Sequence, residues 1–293
     1  MLLGLNGATT MRADLATDIR VAGQAGYDVV ELWAAKLDRF LQKHTADDLL
    51  RLLLAAKVMP YSINSVEQIT FREPAEYRDQ VASRCRYLAE IAARLKCPYI
   101  VVVPSDKPAG VTWGEILEES VRVLHDLAAI ASEYEVGLAF EFIGQAGRSV
   151  ATLDKCWEVV RATNRQNVGL VLDTFHFYAG GSSLAAIRQL DPRKLFVLHL
   201  NDADEAPSRP PFREVRRDGA SEDRPKCDLS DAQRLFPGLG VIPLRPIIAA
   251  LRAIGYDGVA SVEIFRPEYW AWDPLRVAQE AKKQAEAVLK ATG

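Results

Sequence analysis

Short apolar runs alternate with amphipathic stretches from one end of the chain to the other. Residues 2–6, 26–33, 58–64, 98–103, 136–142, 168–173, 194–200 and 259–264 are rich in Val, Ile, Leu and aromatic side chains, and several are apolar almost throughout. Runs of that length and character predict strands covered on both faces, the usual state of a parallel sheet. Between them, residues 14–25, 45–56, 74–95, 112–134, 152–161, 184–189, 244–253 and 274–290 repeat apolar positions at helical spacing. Two helix starts are marked locally: Thr45 stands three residues before Asp48, and Thr112 three before Glu115. At that spacing the hydroxyl and the carboxylate each accept an otherwise orphaned N–H of the first turn.

Eight strand–helix alternations, with no low-complexity stretch and no break in composition, predict parallel strands joined by right-handed crossovers. The expected architecture is α/β, a single (β/α)8 TIM barrel over residues 1–293, in keeping with the ~250 residues typical of that fold. A doubly wound open sheet competes with it. That fold calls for a glycine-rich phosphate loop after the first strand, and Asn6-Gly-Ala-Thr-Thr is not one. Glu141 to Asp173 is 32 residues and Asp173 to His199 is 26, but His199 to Glu263 is 64. The connection after strand seven therefore carries roughly 30 extra residues. They fall in the polar, arginine- and proline-rich segment 201–241. A long loop on the C-terminal rim predicts a lid or an interface element.

Composition narrows the classes. Hydrophobic residues make up 49% and charged residues 26%, enough for a sizeable core. The net charge of −3 argues against a nucleic-acid partner, which usually requires a basic excess. No apolar run is long enough to cross a bilayer, and the first residues lack the pattern of a signal peptide. A cytoplasmic location without a membrane partner is expected. Cys85, Cys97, Cys156 and Cys227 form no C-x-x-C pair and are expected to be free thiols, three of them in apolar or helical surroundings. Barrel helices and the long connection leave room for a homo-oligomer.

Four apolar runs end in a side chain able to bind a metal: Glu141, Asp173, His199 and Glu263. In a closed barrel the C-terminal strand ends converge on one mouth, which puts these four on consecutive strands around it. Three carboxylates crowded in a pocket of low dielectric repel one another unless a cation neutralises them or they take up protons. Three oxygens and one imidazole suit Mn²⁺, Zn²⁺, Co²⁺ or Mg²⁺. The competing reading is a belt of salt bridges, but Arg266 is the one arginine close in sequence to these strand ends.

Phe140-Glu-Phe, Asn167-Val-Gly-Leu-Val-Leu-Asp-Thr-Phe-His-Phe, His199-Leu-Asn-Asp and Ser261-Val-Glu-Ile-Phe-Arg-Pro-Glu-Tyr, with Asn6-x-Ala-Thr-Thr near the start, resemble the xylose-isomerase-like TIM-barrel sugar isomerase/epimerase superfamily. Within it they are most similar to the isomerases of keto-inositols (inososes) in inositol catabolism. The resemblance covers essentially the whole chain and departs from it in segment 201–241. It implies metal ligation by Glu141, Asp173, His199 and Glu263, and a divalent-metal-dependent isomerase that moves a proton through a metal-bound enediolate. Glu141 and Glu263 would then be the general base and acid.

Among the remaining polar residues, His176 is expected to bond a substrate hydroxyl. Glu31 is expected either to hold a second hydroxyl or to pair with Arg266, and Asn64 and Arg266 are further substrate-binding candidates. Trp33, Tyr61, Trp113, Phe175, Tyr269 and Trp270 are candidates for apolar faces at the mouth, though most aromatics in a chain of this size are core. His44 and His125 read as solvated or capping residues, and the arginines from Arg209 to Arg224 as a solvated loop or a contact for an anionic substrate. Other functions on the same frame are a ketose 3-epimerase, a hydroxy-ketone isomerase, an inosose dehydratase, an apurinic endonuclease and a non-catalytic sugar-binding barrel. The endonuclease would need many more histidines than the four present.

Overall fold

In the computed structural model, which describes residues 1–205 and 229–291, eight parallel strands close into a barrel. They are β1 (Leu2–Asn6), β2 (Val29–Trp33), β3 (Met59–Val66), β4 (Tyr99–Val102), β5 (Gly137–Glu141), β6 (Val168–Asp173), β7 (Leu195–Leu200) and β8 (Val259–Val262). Each is hydrogen-bonded to its sequence neighbours, and β8 closes on β1. The helices that return the chain are α1 (Leu15–Ala25), α2 (Ala34–Leu41), α3 (Ala46–Ala56), α4 (Ser83–Leu95), α5 (Trp113–Ser132), α6 (Leu153–Thr163), α7 (Thr174–Ala179), α8 (Leu184–Ile187), α9 (Leu244–Ala253) and α10 (Pro274–Lys290). Both sequence-marked starts form complete capping boxes, Thr45 with Asp48 and Thr112 with Glu115. No helix among the described residues is long and apolar enough to cross a membrane.

Two helices have no counterpart in the apolar pattern. α2 follows β2 without a side-chain cap. α7 is the Thr-Phe-His-Phe-Tyr-Ala segment, whose aromatic run reads as strand or turn; it becomes helical because the Asp173 side chain accepts the His176 N–H. The expected helix over 74–95 is divided into Pro74–Glu76, a π-helical stretch Tyr77–Ala82, and α4.

The apolar core lies in two layers. The larger packs the outer faces of the strands against the helices, and the smaller fills the barrel interior with Val101, Val103, Ala139, Ile143, Val171, Phe196 and Val197. Three rings close the barrel floor. Tyr99 stacks on Phe196 at 4.4 Å, Tyr61 meets Tyr99 edge-on at 5.4 Å, and the Tyr61 hydroxyl donates to the Phe196 carbonyl. Glycine makes room for them: a Cβ at Gly137 would come within 2.9 Å of Tyr99, and one at Gly169 within 2.7 Å of Phe196. The β6–β7 register shifts between Leu170 and Val171, opposite Phe196. Phe196 and Val197 therefore both join the interior cluster.

The long connection after β7 is described at its two ends. Asp202–Ala203 pairs antiparallel with Arg234–Leu235. The Asp202 carboxylate accepts the N–H groups of Ala203, Gly238, Gly240 and Ile242 and so ties the returning chain to the end of β7. Cys227 and the arginines from Arg209 to Arg224 lie outside the described residues; Cys85, Cys97 and Cys156 are free and buried.

Candidate metal centre

Strand register assembles the site. Asp173 is level with His199, and His199 with Ser261, across β6, β7 and β8. Side chains two apart share a face, so Glu263 lies one layer above Ser261. The same step on β1 leads from Gly4, the partner of Ser261, to Asn6, whose own partner on β2 is Glu31. Glu141 ends β5. One ligand atom from each of Glu141, Asp173, His199 and Glu263 falls within 4.8 Å of the others, and all four residues are buried.

His199 is the hub of this group. Its Nδ1 lies 3.0 Å from Glu141 Oε1, 3.3 Å from Glu263 Oε2 and 3.9 Å from Asp173 Oδ2. Its Nε2 faces the other way, 3.0 Å from Glu31 Oε2. Burial raises the Glu141 carboxyl to about 8, with Glu263 and Asp173 adding to the rise and His199 opposing it. Burial likewise raises Glu263. His199 is held well above the ordinary histidine value; burial opposes this, but Glu263, Glu31 and Glu141 outweigh it. Without a metal the group therefore retains protons at neutral pH, as expected for a donor set shaped for a divalent cation.

Arg234 is the surprise. It comes from the long connection, is 1% exposed, and places its guanidinium on Asp173 and on Glu263 Oε2 at 3.0 Å. Asp231 anchors its other side at 2.9 Å, and the rings of Phe175 and Phe265 lie 4.8 and 5.1 Å from it. This corrects the expectation that Arg266 is the arginine nearest the strand ends. Arg266 instead donates to Asp204 at 2.8 Å and leans over Tyr269. Burial opposes ionisation of Asp173, but Arg234, His176 and His199 hold its carboxyl below the usual range.

The other predicted residues separate by location. Asn64 is buried and donates to Glu263 Oε1 at 2.8 Å. Glu31 is 1% exposed and takes His199, not Arg266, as its charged partner. His176 is buried on α7, where its Nε2 meets Arg234 at 3.2 Å and its Nδ1 has no partner among the described residues. Burial pushes it down to about 4, so it is neutral at pH 7. Phe175 and Trp33 belong to the mouth, Trp33 by its edge-on contact with Phe265 at 5.5 Å. Tyr269 stacks on Phe236 at 4.0 Å, and Trp270 donates to the Ala8 carbonyl. Tyr61 does not line the mouth, since it is part of the floor. Nor does Trp113, which donates to Glu158 among the outer helices. His44 stacks on Phe40, and His125 accepts from Arg165.

Several residues that shape the site carried no strand-end signal. Asn6 donates to both Glu31 and Glu263, at 3.2 and 3.1 Å. Thr9 bonds the Val262 carbonyl and the Ile264 N–H, which fixes the backbone on both sides of Glu263. The Asn201 amide donates to Asp173 Oδ2 at 3.0 Å. Below the first loop, the buried Lys36 ammonium bonds Asp18 at 2.7 Å and the carbonyls of Gly7 and Thr10, each at 2.8 Å. Extending the strand-end rule to amides would have found Asn6 and Asn201. Arg234 could be anticipated only from the need to balance so many carboxylates.

Residues 19–291 match the family described as xylose isomerase-like TIM barrel. The inosose isomerase of Bacillus velezensis is 33% identical over 291 residues, covering 99% of this chain and 97% of that protein. The inosose isomerase of Halalkalibacterium halodurans is 34% identical over 288 residues, covering 98% and 94%. The crystal structure of IOLI protein with a bound zinc atom superposes with a TM-score of 0.90 at 32% identity, covering 100% of this chain and 99% of that one. With eight parallel strands in a closed barrel and a match over nearly its whole length, the chain belongs to the xylose isomerase-like TIM barrel family.

Proposed function

We propose that the protein is a divalent-metal-dependent isomerase of a keto-inositol. The observation that carries this reading is the pair of buried glutamates, Glu141 and Glu263, whose oxygens lie 3.0 and 3.3 Å from His199 Nδ1. The inosose isomerase relatives supply the substrate class. Glu141, Asp173, His199 and Glu263 fit a divalent cation by their chemistry, three hard oxygens and one imidazole nitrogen in a buried cluster with more carboxylates than cations. A cation held there polarises a carbonyl and acidifies the neighbouring C–H bond.

Interconverting adjacent ketone and alcohol requires three proton movements. One proton leaves the hydroxyl-bearing carbon, one arrives at the former carbonyl carbon, and a hydroxyl proton passes between the two oxygens. Glu141 and Glu263 come from the first and last of four consecutive strands, so each reaches a ring bound between them from its own side. One, as carboxylate, takes the carbon proton, and the other, already protonated, delivers its own proton to the former carbonyl carbon. The Asn6 and Asn64 amides hold Glu263 Oε1, so that Oε2 is the oxygen turned to His199 Nδ1 and Arg234. Neutral His176 offers to a substrate hydroxyl its Nδ1, which has no partner among the described residues, and Arg234 supplies a fixed positive charge for an oxyanion. Phe175, Phe265 and Trp33 give the apolar walls that exclude water and face the C–H side of a cyclic polyol.

The test is a substrate panel. Protein loaded with Mn²⁺ or Zn²⁺ is incubated with 2-keto-myo-inositol, fructose and psicose, and products are followed by NMR. Conversion of the keto-inositol to a positional isomer is expected, with the free ketoses unchanged. Turnover confined to the free ketoses would move the assignment to a ketose 3-epimerase. Loss of a water molecule from the keto-inositol would make the enzyme a dehydratase.

A further inference from the structure

His199 has two ring nitrogens, and a neutral imidazole carries one proton between them. Nδ1 points into the carboxylate group, with oxygens of Glu141, Glu263 and Asp173 at 3.0, 3.3 and 3.9 Å. To bind a cation there, Nδ1 must present a lone pair. The same carboxylates favour the opposite outcome, an Nδ1–H donating to them. The tautomer is decided at the far side of the ring, where both oxygens of Glu31 lie close to Nε2, at 3.2 and 3.0 Å.

Glu31 is built to stay there. It lies in β2, fully covered, with its own carbonyl taken by the Gly7 N–H and its Oε1 by the Asn6 amide at 3.2 Å. The Asn6 Nδ2 also donates to Glu263, so a single amide fixes Glu31 relative to a glutamate of the metal group. Glu31 faces Nε2, across the imidazole from the Nδ1 that meets Glu141, Glu263 and Asp173. This separates it from the role of a hydroxyl holder that its position near the end of a strand suggested.

Building on the metal-dependent reading above, we infer that Glu31 is the positioning residue of the centre: it accepts the Nε2–H of His199, fixes the tautomer and aims the Nδ1 lone pair at the cation. Glu31 touches neither substrate nor metal. Its removal costs metal affinity because nothing then holds at Nε2 the one proton that stays on the ring when Nδ1 gives its lone pair to the cation.

Zinc titration calorimetry and long-range ¹H–¹⁵N spectra of the histidine rings test this without measuring turnover. Wild-type protein is expected to bind one zinc, with the spectrum of His199 showing Nε2–H and a metallated Nδ1. Glu31→Gln keeps shape and one acceptor oxygen but loses the charge, and is expected to weaken zinc binding by about 10–100-fold, the usual range for such partners. Equal affinity in wild type and Glu31→Gln would overturn the inference while leaving the metal site intact. Wild-type protein that binds no zinc would overturn the metal reading and this inference with it. Should Glu31→Gln fail to fold, the wild-type spectrum decides: Nε2 on the metal and a proton on Nδ1 would contradict the role, and the reverse would support it.

Discussion

Arg234 and the carboxylates it pairs with set the energetics of the site at the level of single residues. A buried guanidinium is costly to desolvate and is retained here by Asp173, Glu263 and Asp231. Replacing it with Met removes the cation and leaves two buried carboxylates facing each other. For the metal-free protein, Arg234→Met is expected to lower stability by about 3–5 kcal/mol in urea unfolding, and zinc should restore more of it than in wild type. A loss below 1 kcal/mol would mean that the carboxylates are already neutral. Glu263→Gln keeps the amide contacts to Asn6 and Asn64 but removes a proton acceptor. It is expected to abolish measurable isomerisation, and near-normal turnover would take Glu263 out of the chemistry. Glu141, Asp173, His199 and Glu263 were legible in the sequence because each ends an apolar run. Arg234 was not, since it lies 35 residues beyond His199 in a segment without periodicity, and only folding brings it back to the mouth.

The elements differ in how plainly local chemistry announces them. Strands buried on both faces, and helices opened by Thr45 and Thr112, are written in runs of apolar residues and capping pairs. α7 is not, because Phe175 and Phe177 favour a strand and only the bond from the His176 N–H to Asp173 turns the chain into a helix. The ribbon that carries Arg234 depends in turn on Asp202, whose carboxylate collects four backbone N–H groups. Asp202→Ala orphans those donors, at about 1–3 kcal/mol for each that stays buried and unsatisfied. Hydrogen exchange should accelerate at Gly238, Gly240 and Ile242 while amides of β5 to β7 keep their protection. Unchanged exchange at the three amides would show that Asp202 does not anchor the ribbon.

At the scale of the whole molecule, protonation and metal binding are linked. In the metal-free protein Glu141 is raised from 4.5 to about 8, chiefly by burial. A carboxyl raised on folding stabilises fully below its unfolded value and loses that contribution as pH climbs through its folded value. His176 is depressed to about 4, so its contribution is complete above its ordinary value of 6.5 and does not offset the loss beyond that point. The Tm of chelator-treated protein is therefore expected to fall from about pH 6.5 to 8, while zinc affinity rises over the same window because the cation displaces the proton. A metal-free Tm that rises there would contradict the raised carboxyl. The barrel itself was legible as eight alternations, but the closure of its mouth was not, since that depends on a side chain from a connection whose length alone could be read. The central claim, that two glutamates at a metal centre move a carbon-bound proton, is tested most directly by incubating metal-loaded protein with 2-keto-myo-inositol in D₂O. Deuterium should appear at the carbons on which carbonyl and hydroxyl exchange, and should be absent with Glu263→Gln. A wild-type reaction that leaves every carbon-bound proton in place would contradict the account.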